Sequence, residues 1–162
     1  MRITEMDGHD CREVLGRQGL GRLGCARENQ PYIVPIYFAS EDDCLFGFAT
    51  LGRKIEWMRL NPLVCVQADE IRSPTEWKSV VVMGRYEELP EDAGNEKSRK
   101  HAIALLARRS SWWQGAYAAD LLRQHGGDPV PVVFCVHIME ISGHRADPDP
   151  GQRAIDVAQQ KW

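Results

Sequence analysis

The sequence predicts a mainly β, α+β protein: a six-stranded antiparallel barrel with flanking helices. Three observations predict it. Short apolar stretches recur between turn signals, at residues 32–39, 44–49, 63–68 and 77–83. Short polar turns such as Glu41-Asp42-Asp43 join neighbouring stretches as hairpins. Few helical patterns lie between them, which argues against a doubly wound sheet.

The elements follow in order. Residues 7–18 read as a first helix, with Cys11, Val14 and Leu15 on one face, Asp7 or Asp10 as cap and Gly19 at the C-cap position. Gly19-Leu20-Gly21-Arg22-Leu23-Gly24 is a literal GxGxxG. That fingerprint must follow a strand and open a helix. Here it follows a helix and leads into a strand and a turn, so a dinucleotide site is rejected. Residues 32–39 form a second strand. Pro35 lacks an N–H, which implies an edge or a bulge there. Cys44–Ala49 is the returning strand of that hairpin.

The next stretch, residues 50–62, carries the chemistry. Thr50 and Gly52 break the strand, and a short helix follows with Ile55 and Met58 on one face. Pro62 ends it at Asn61. Arg53 and Lys54 stand at the helix start, where the positive end of the dipole repels cations. A bound phosphate between these charges and the free N–H groups would account for them; two solvated side chains on a surface turn is the alternative.

Residues 63–68 and 77–83 are the fourth and fifth strands. The continuous apolar run of the fifth suggests burial on both faces, and Gly84 suggests a bulge or a barrel bend. Residues 90–109 read as a helix with Ala102, Leu105 and Leu106 as its stripe, and a second short helix is expected at 116–124. Residues 131–142 alternate cleanly as the last strand, which Gly143 ends. Residues 147–162 read as an irregular tail.

The chain has 162 residues, 43% of them hydrophobic, which suits one domain with a real core. A net charge of −3 leaves no electrostatic footprint for nucleic acid or an acidic membrane. No apolar run approaches the ~18 residues of a spanning helix, and residues 1–5 lack an apolar signal core, so a cytoplasmic location is expected. The five cysteines form no CxxC. They read as free thiols in a reducing compartment, with no zinc site or other metal site expected.

The ordered set Gly21-Arg22-Leu23-Gly24, Pro31-Tyr32-Ile33-Val34-Pro35-Ile36, Thr50-Leu51-Gly52-Arg53-Lys54, Asn61-Pro62 and Trp77-Lys78-Ser79-Val80-Val81-Val82-Met83-Gly84 resembles the pyridoxamine 5′-phosphate oxidase-like proteins. Within them it is most similar to the branch that includes nitroimidazole-resistance proteins. The resemblance implies a six-stranded split β-barrel over residues 1–146 that binds FMN at the interface of a homodimer. It implies that Arg53 and Lys54 hold the flavin phosphate. Phe48, Ala49 and Thr50 would lie along the ribityl chain and phosphate. Pro35, Ile36 and Tyr37 would edge the isoalloxazine ring, and Ser79 would stand where the oxidase uses a glutamine to the flavin. The oxidase's basic and tyrosine residues for pyridoxal phosphate have no match, so the resemblance does not carry vitamin B6 oxidation with it.

Flavin chemistry needs no side-chain acid or base, so no catalytic residue is expected. The expected function is an FMN-dependent oxidoreductase acting on a small planar substrate. The alternative is a non-enzymatic flavin- or haem-binding module. Trp112 and Trp113 point about 100° apart on a helix; one of them is a candidate lid over the flavin or filler of the dimer interface, or else packs on the domain's own surface. His137, beside Cys135 and Met139, reads as a hydrogen-bonded, semi-buried histidine before it reads as a haem ligand.

Overall fold

The computed structural model describes residues 1–109 and 132–149. In order they form β1 (Arg2–Glu5), α1 (Gly8–Arg17), β2 (Leu20–Arg27), β3 (Gln30–Glu41) and β4 (Cys44–Ala49). Then come α2 (Arg53–Leu60), β5 (Leu63–Ser73), β6 (Glu76–Glu88), α3 (Glu96–Arg108) and β7 (Val132–Asp147). Trp112, Trp113, the short helix expected at 116–124 and most of the tail lie outside the described residues.

Every pairing is antiparallel, in the order β1-β7-β4-β3-β2-β5-β6, and a further β6–β7 pairing closes the ring. The barrel and its flanking helices are those the sequence predicts, with one strand more. The extra strand, β1, is short and polar and pairs Arg2 with Asp147 through Glu5 with His144. With almost nothing buried, it carries no alternation to read.

Side chains alternate along each strand, and the inward set makes the core. Leu23, Phe38, Leu45, Val66, Val82, Phe134 and Val136 fill it, each almost fully buried. Burying a large apolar side chain contributes about 1.5–3 kcal/mol. α1 closes one end with Cys11, Val14 and Leu15, and α2 closes the other with Ile55 and Met58. The Asp7 side chain caps α1 by accepting from the Asp10 N–H at 2.8 Å. α3 lies on the outside, where Ala102 meets Leu89, Val133 and Cys135.

Several local expectations change. β6 is not buried on both faces: Val80 and Val82 point in, while Val81 and Met83 point out and are exposed. An apolar run on a barrel strand still has an outer face. Gly143 does not end β7, which runs on to pair with β1. A Cβ there would lie 2.6 Å from Met6 Cε and 2.8 Å from Cys11 Sγ, so the glycine permits close packing. Gly19 is not a left-handed cap. Gln18 leaves α1 in an extended conformation, straight into β2. α3 starts at Glu96 instead of residue 90, because Asp92 accepts from the Asn95 N–H at 2.9 Å and forms a turn first. Gly84 does mark a bulge, with the β6–β7 register shifting between Met83 and Gly84.

Candidate functional site

β3 and β4 part company partway down the barrel. Their ladder covers only Phe38–Gly47 to Glu41–Cys44. Below it, residues 30–36 of β3 pair with β2 on one side and with no described strand on the other. Pro35, opposite Arg22, sits in this edge segment, as its missing N–H requires. β4 meanwhile runs on through Phe48 to Ala49, still paired to β7, and Thr50 follows directly after it. The two strands thus diverge, with Pro35, Ile36 and Tyr37 on the β3 side and Phe48, Ala49 and Thr50 on the β4 side; Ile36 and Ala49 themselves are buried in the core.

α2 begins four residues past the end of β4, at Arg53. Its N-cap, Gly52, has no side chain to cap the helix. The first helical bond runs from the Glu56 N–H to the Gly52 carbonyl at 3.1 Å. The N–H groups of Arg53, Lys54 and Ile55 therefore have no intrahelical acceptor. They are the positive end of the helix dipole.

Lys54 is half-buried there, beside the buried thiol of Cys25. Burial holds its ammonium below the ordinary lysine pKa, the nearby Cys25 opposing weakly. Among the described residues no carboxylate offsets that charge. Burial pushes the Cys25 thiol up, helped by Cys65 and opposed by Lys54. The Arg53 guanidinium lies over the Tyr32 ring, 5.4 Å from its centroid. Tyr32 in turn packs at 5.5 Å against Trp57. Two cations and three N–H groups thus converge on one end of the barrel, which suits an anion with several acceptor oxygens.

Tyr32, Trp57 and Cys25 were not singled out from the sequence. Trp57 stands four residues after Arg53, so the two share a helix face. That spacing is the signal that could have found it. Tyr32 reaches the site only through the β2–β3 register, opposite Cys25.

Ser79 is not brought to this group. Its Oγ accepts from Gln67 Nε2 at 3.2 Å. Cys25 lies one residue past the Gly24–Cys65 pair, on the level of Gly84 in β6. Ser79 is five residues further along β6, or about 17 Å.

α2 is fastened in place by its far end. Arg59 meets Glu88 through two bonds, Nε to Oε1 at 2.6 Å and Nη2 to Oε2 at 3.1 Å. Asn61 Nδ2 donates to the Ala26 carbonyl at 3.1 Å, and the Tyr86 N–H donates to the Pro62 carbonyl at 2.8 Å.

A family model described as pyridoxamine 5′-phosphate oxidase matches residues 7–145. The chain is 40% identical over 146 residues to the uncharacterized protein RA0666 of Rhizobium meliloti, covering 90% of this chain and 97% of that one. Its fold is similar to the crystal structure of a FAD-binding protein from Mesorhizobium loti, with a TM-score of 0.74 and 40% identity over 91% of this chain and 99% of that one. A 5-nitroimidazole antibiotic resistance protein homologue from Bacteroides thetaiotaomicron has the same fold, with a TM-score of 0.64 and 20% identity over 91% and 93% of the two chains. The chain belongs to the pyridoxamine 5′-phosphate oxidase family.

Proposed function

We propose that the chain binds a flavin nucleotide where β3 and β4 diverge and uses it as an oxidoreductase on a small planar substrate. The observation that carries the reading is Lys54: a half-buried ammonium at a helix N-terminus, with no described carboxylate to offset it. The flavin phosphate supplies the missing charge. Arg53 and the N–H groups of α2 share the phosphate, and Phe48, Ala49 and Thr50 follow the ribityl chain. Pro35, Ile36 and Tyr37 edge the ring. A bound flavin supplies the hydride chemistry; the chain's own residues bind it and orient it.

FMN is the form we assign, because a terminal phosphate suits a closed cluster of charges. The FAD named for the Mesorhizobium loti protein, at 40% identity, favours FAD as the second reading. A non-enzymatic flavin or haem module remains the alternative from another class.

The flavin-binding unit spans residues 1–146 and works as a two-fold homodimer. Ile33, Leu63, Val81 and Met83 expose 68%, 55%, 37% and 50% of their area on the outer face. Ile33, Gly24, Cys65 and Met83 form one cross-strand row of it. A second copy would cover this apolar stripe. Ser79, remote from Arg53 and Lys54 in one copy, then faces a flavin held largely by the other. Free thiols on all five cysteines suit a reducing cytoplasm.

The test is the absorption spectrum of the purified protein, mass identification of the released cofactor, and addition of NADH or NADPH. Released FMN that bleaches with either donor supports the oxidoreductase, and released FAD supports the second reading. Bound flavin inert to both donors supports a module. Protein that takes up neither flavin overturns the assignment.

A further inference from the structure

On the outer face of the barrel, under α3, the β4–β7 pairing assembles Cys44, Cys135 and His137. Cys135 and His137 are two apart on β7, so they share a face, and Cys44 is the direct cross-strand partner of His137. One ligand atom from each lies within 4.8 Å of the others. Cys44 Sγ is 3.5 Å from His137 Nδ1. With a Zn–S bond of about 2.3 Å and a Zn–N bond of about 2.05 Å, a tetrahedral centre separates sulfur from nitrogen by ~3.6 Å.

The other ring nitrogen is occupied. His137 Nε2 meets Glu87 Oε2 at 2.5 Å, and Glu87 stands opposite Cys135 in the β6–β7 ladder. A carboxylate on the far nitrogen is the usual orienting partner of a metal-bound histidine, and it directs Nδ1 toward the sulfurs. All three ligands stand on neighbouring strands of one ladder, so no loop has to order to bring them together. Cys135 is buried, Cys44 is half-buried and His137 is exposed, so an ion would enter from the His137 side.

We propose that Cys44, Cys135 and His137 form a binding site for a thiophilic d10 cation of the zinc class, with Glu87 as the positioning residue on His137. The fourth position is left to water. Binding one Zn2+ through two thiolates releases two thiol protons. The ligand set is soft sulfur and imidazole, which selects zinc-class ions over magnesium or calcium. The site does not depend on the flavin reading. Cys44 lies four residues from Phe48 along β4, about 13 Å.

The experiment uses the full chain, reduced and freed of metal by a chelator, titrated with Co2+ and then Zn2+. The expected result is one Co2+ per chain, with a thiolate-to-cobalt charge-transfer band that Zn2+ abolishes. C44S, C135S and H137A should each weaken binding at least ~100-fold. Glu87→Gln should weaken it roughly 10- to 100-fold. Cys25→Ser and Cys65→Ser should leave it unchanged. Circular dichroism checks folding, and the exposed positions Glu87 and His137 keep the test sharp if C135S misfolds. A titration with no charge-transfer band, or a weak one indifferent to these variants, would mean an adventitious ion only and would overturn the site. A Cys44–Cys135 disulfide that resists treatment with a thiol reductant would overturn it as well.

Discussion

Arg59 and Glu88 form a two-point ion pair that ties the last turn of α2 to the end of β6. Tyr86 adds its hydroxyl, which donates to Glu88 Oε1 at 2.8 Å. The short helix that carries Arg53 and Lys54 is thereby held at the end opposite its charges. Positioning of the candidate phosphate site depends on a contact far from any ligand.

The Arg59 bond holds the Glu88 carboxyl below the usual carboxylate range, against the opposing effect of burial. A depressed folded-state pKa contributes stability above the unfolded value, ~4.3 for glutamate. That stability is lost as pH falls through the folded value. Glu88→Gln should therefore lower Tm at neutral pH, and the gap to the wild type should narrow as pH falls below about 4 and close once it is below the folded value. Thermal unfolding across pH 2–8 checks this, and a gap independent of pH would contradict it.

Phe134 and Gly47 interlock in the core. A Cβ on Gly47 would lie 2.6 Å from Phe134 Cζ, and Phe134 is fully buried. Gly47→Ala should cost about 1–3 kcal/mol by overpacking. The cost should shrink in a Phe134→Leu background, because the ring it strikes is gone. A double-mutant cycle in denaturant measures the coupling.

The barrel was legible from the sequence because its hairpins are short and its inward residues alternate. Residues 131–142 show that alternation, and Pro35 marks the β3 edge; the outer face of Val81 and Met83 was not legible, because an unbroken apolar run hides which residues point out. The phosphate candidates were legible for a different reason: two cations at a helix N-terminus conflict with its dipole unless an anion is present. What the sequence concealed was set by pairing between distant strands. Cys44 and His137 are 93 residues apart and meet only through the β4–β7 register, so their spacing carries no metal signature. Tyr32 joins Arg53 by the same kind of long-range placement. β1 stayed hidden because a four-residue polar strand has no periodicity.

Burial also makes Lys54 a pH-sensitive ligand. Its free-state pKa is lowered, and a bound phosphate would raise it again, so binding favours the protonated form. FMN affinity should be highest between the second phosphate pKa, about 6, and the lowered Lys54 value. It should fall as pH rises through that value. Lys54→Arg, which stays charged, should flatten the alkaline limb. Flavin fluorescence titrations at several pH values check this.

The outer apolar stripe gives a test of assembly. Ile33→Glu or Met83→Glu would put a charge where a second copy should lie. Both positions are exposed in one copy, so the fold itself should be within ~0.5 kcal/mol of wild type. Sedimentation should show monomers with FMN affinity reduced at least tenfold. Dimers that persist would move the interface elsewhere.

The central claim is that Lys54 holds a flavin phosphate, and the direct measurement is the affinity of wild type and Lys54→Ala for FMN and for riboflavin. A charge-assisted hydrogen bond contributes ~1.5–3 kcal/mol. FMN should then bind the variant roughly ten- to a hundredfold more weakly, since ~1.4 kcal/mol is tenfold. Riboflavin, which has no phosphate, should bind both proteins equally. Equal FMN affinity for the two proteins would contradict the account.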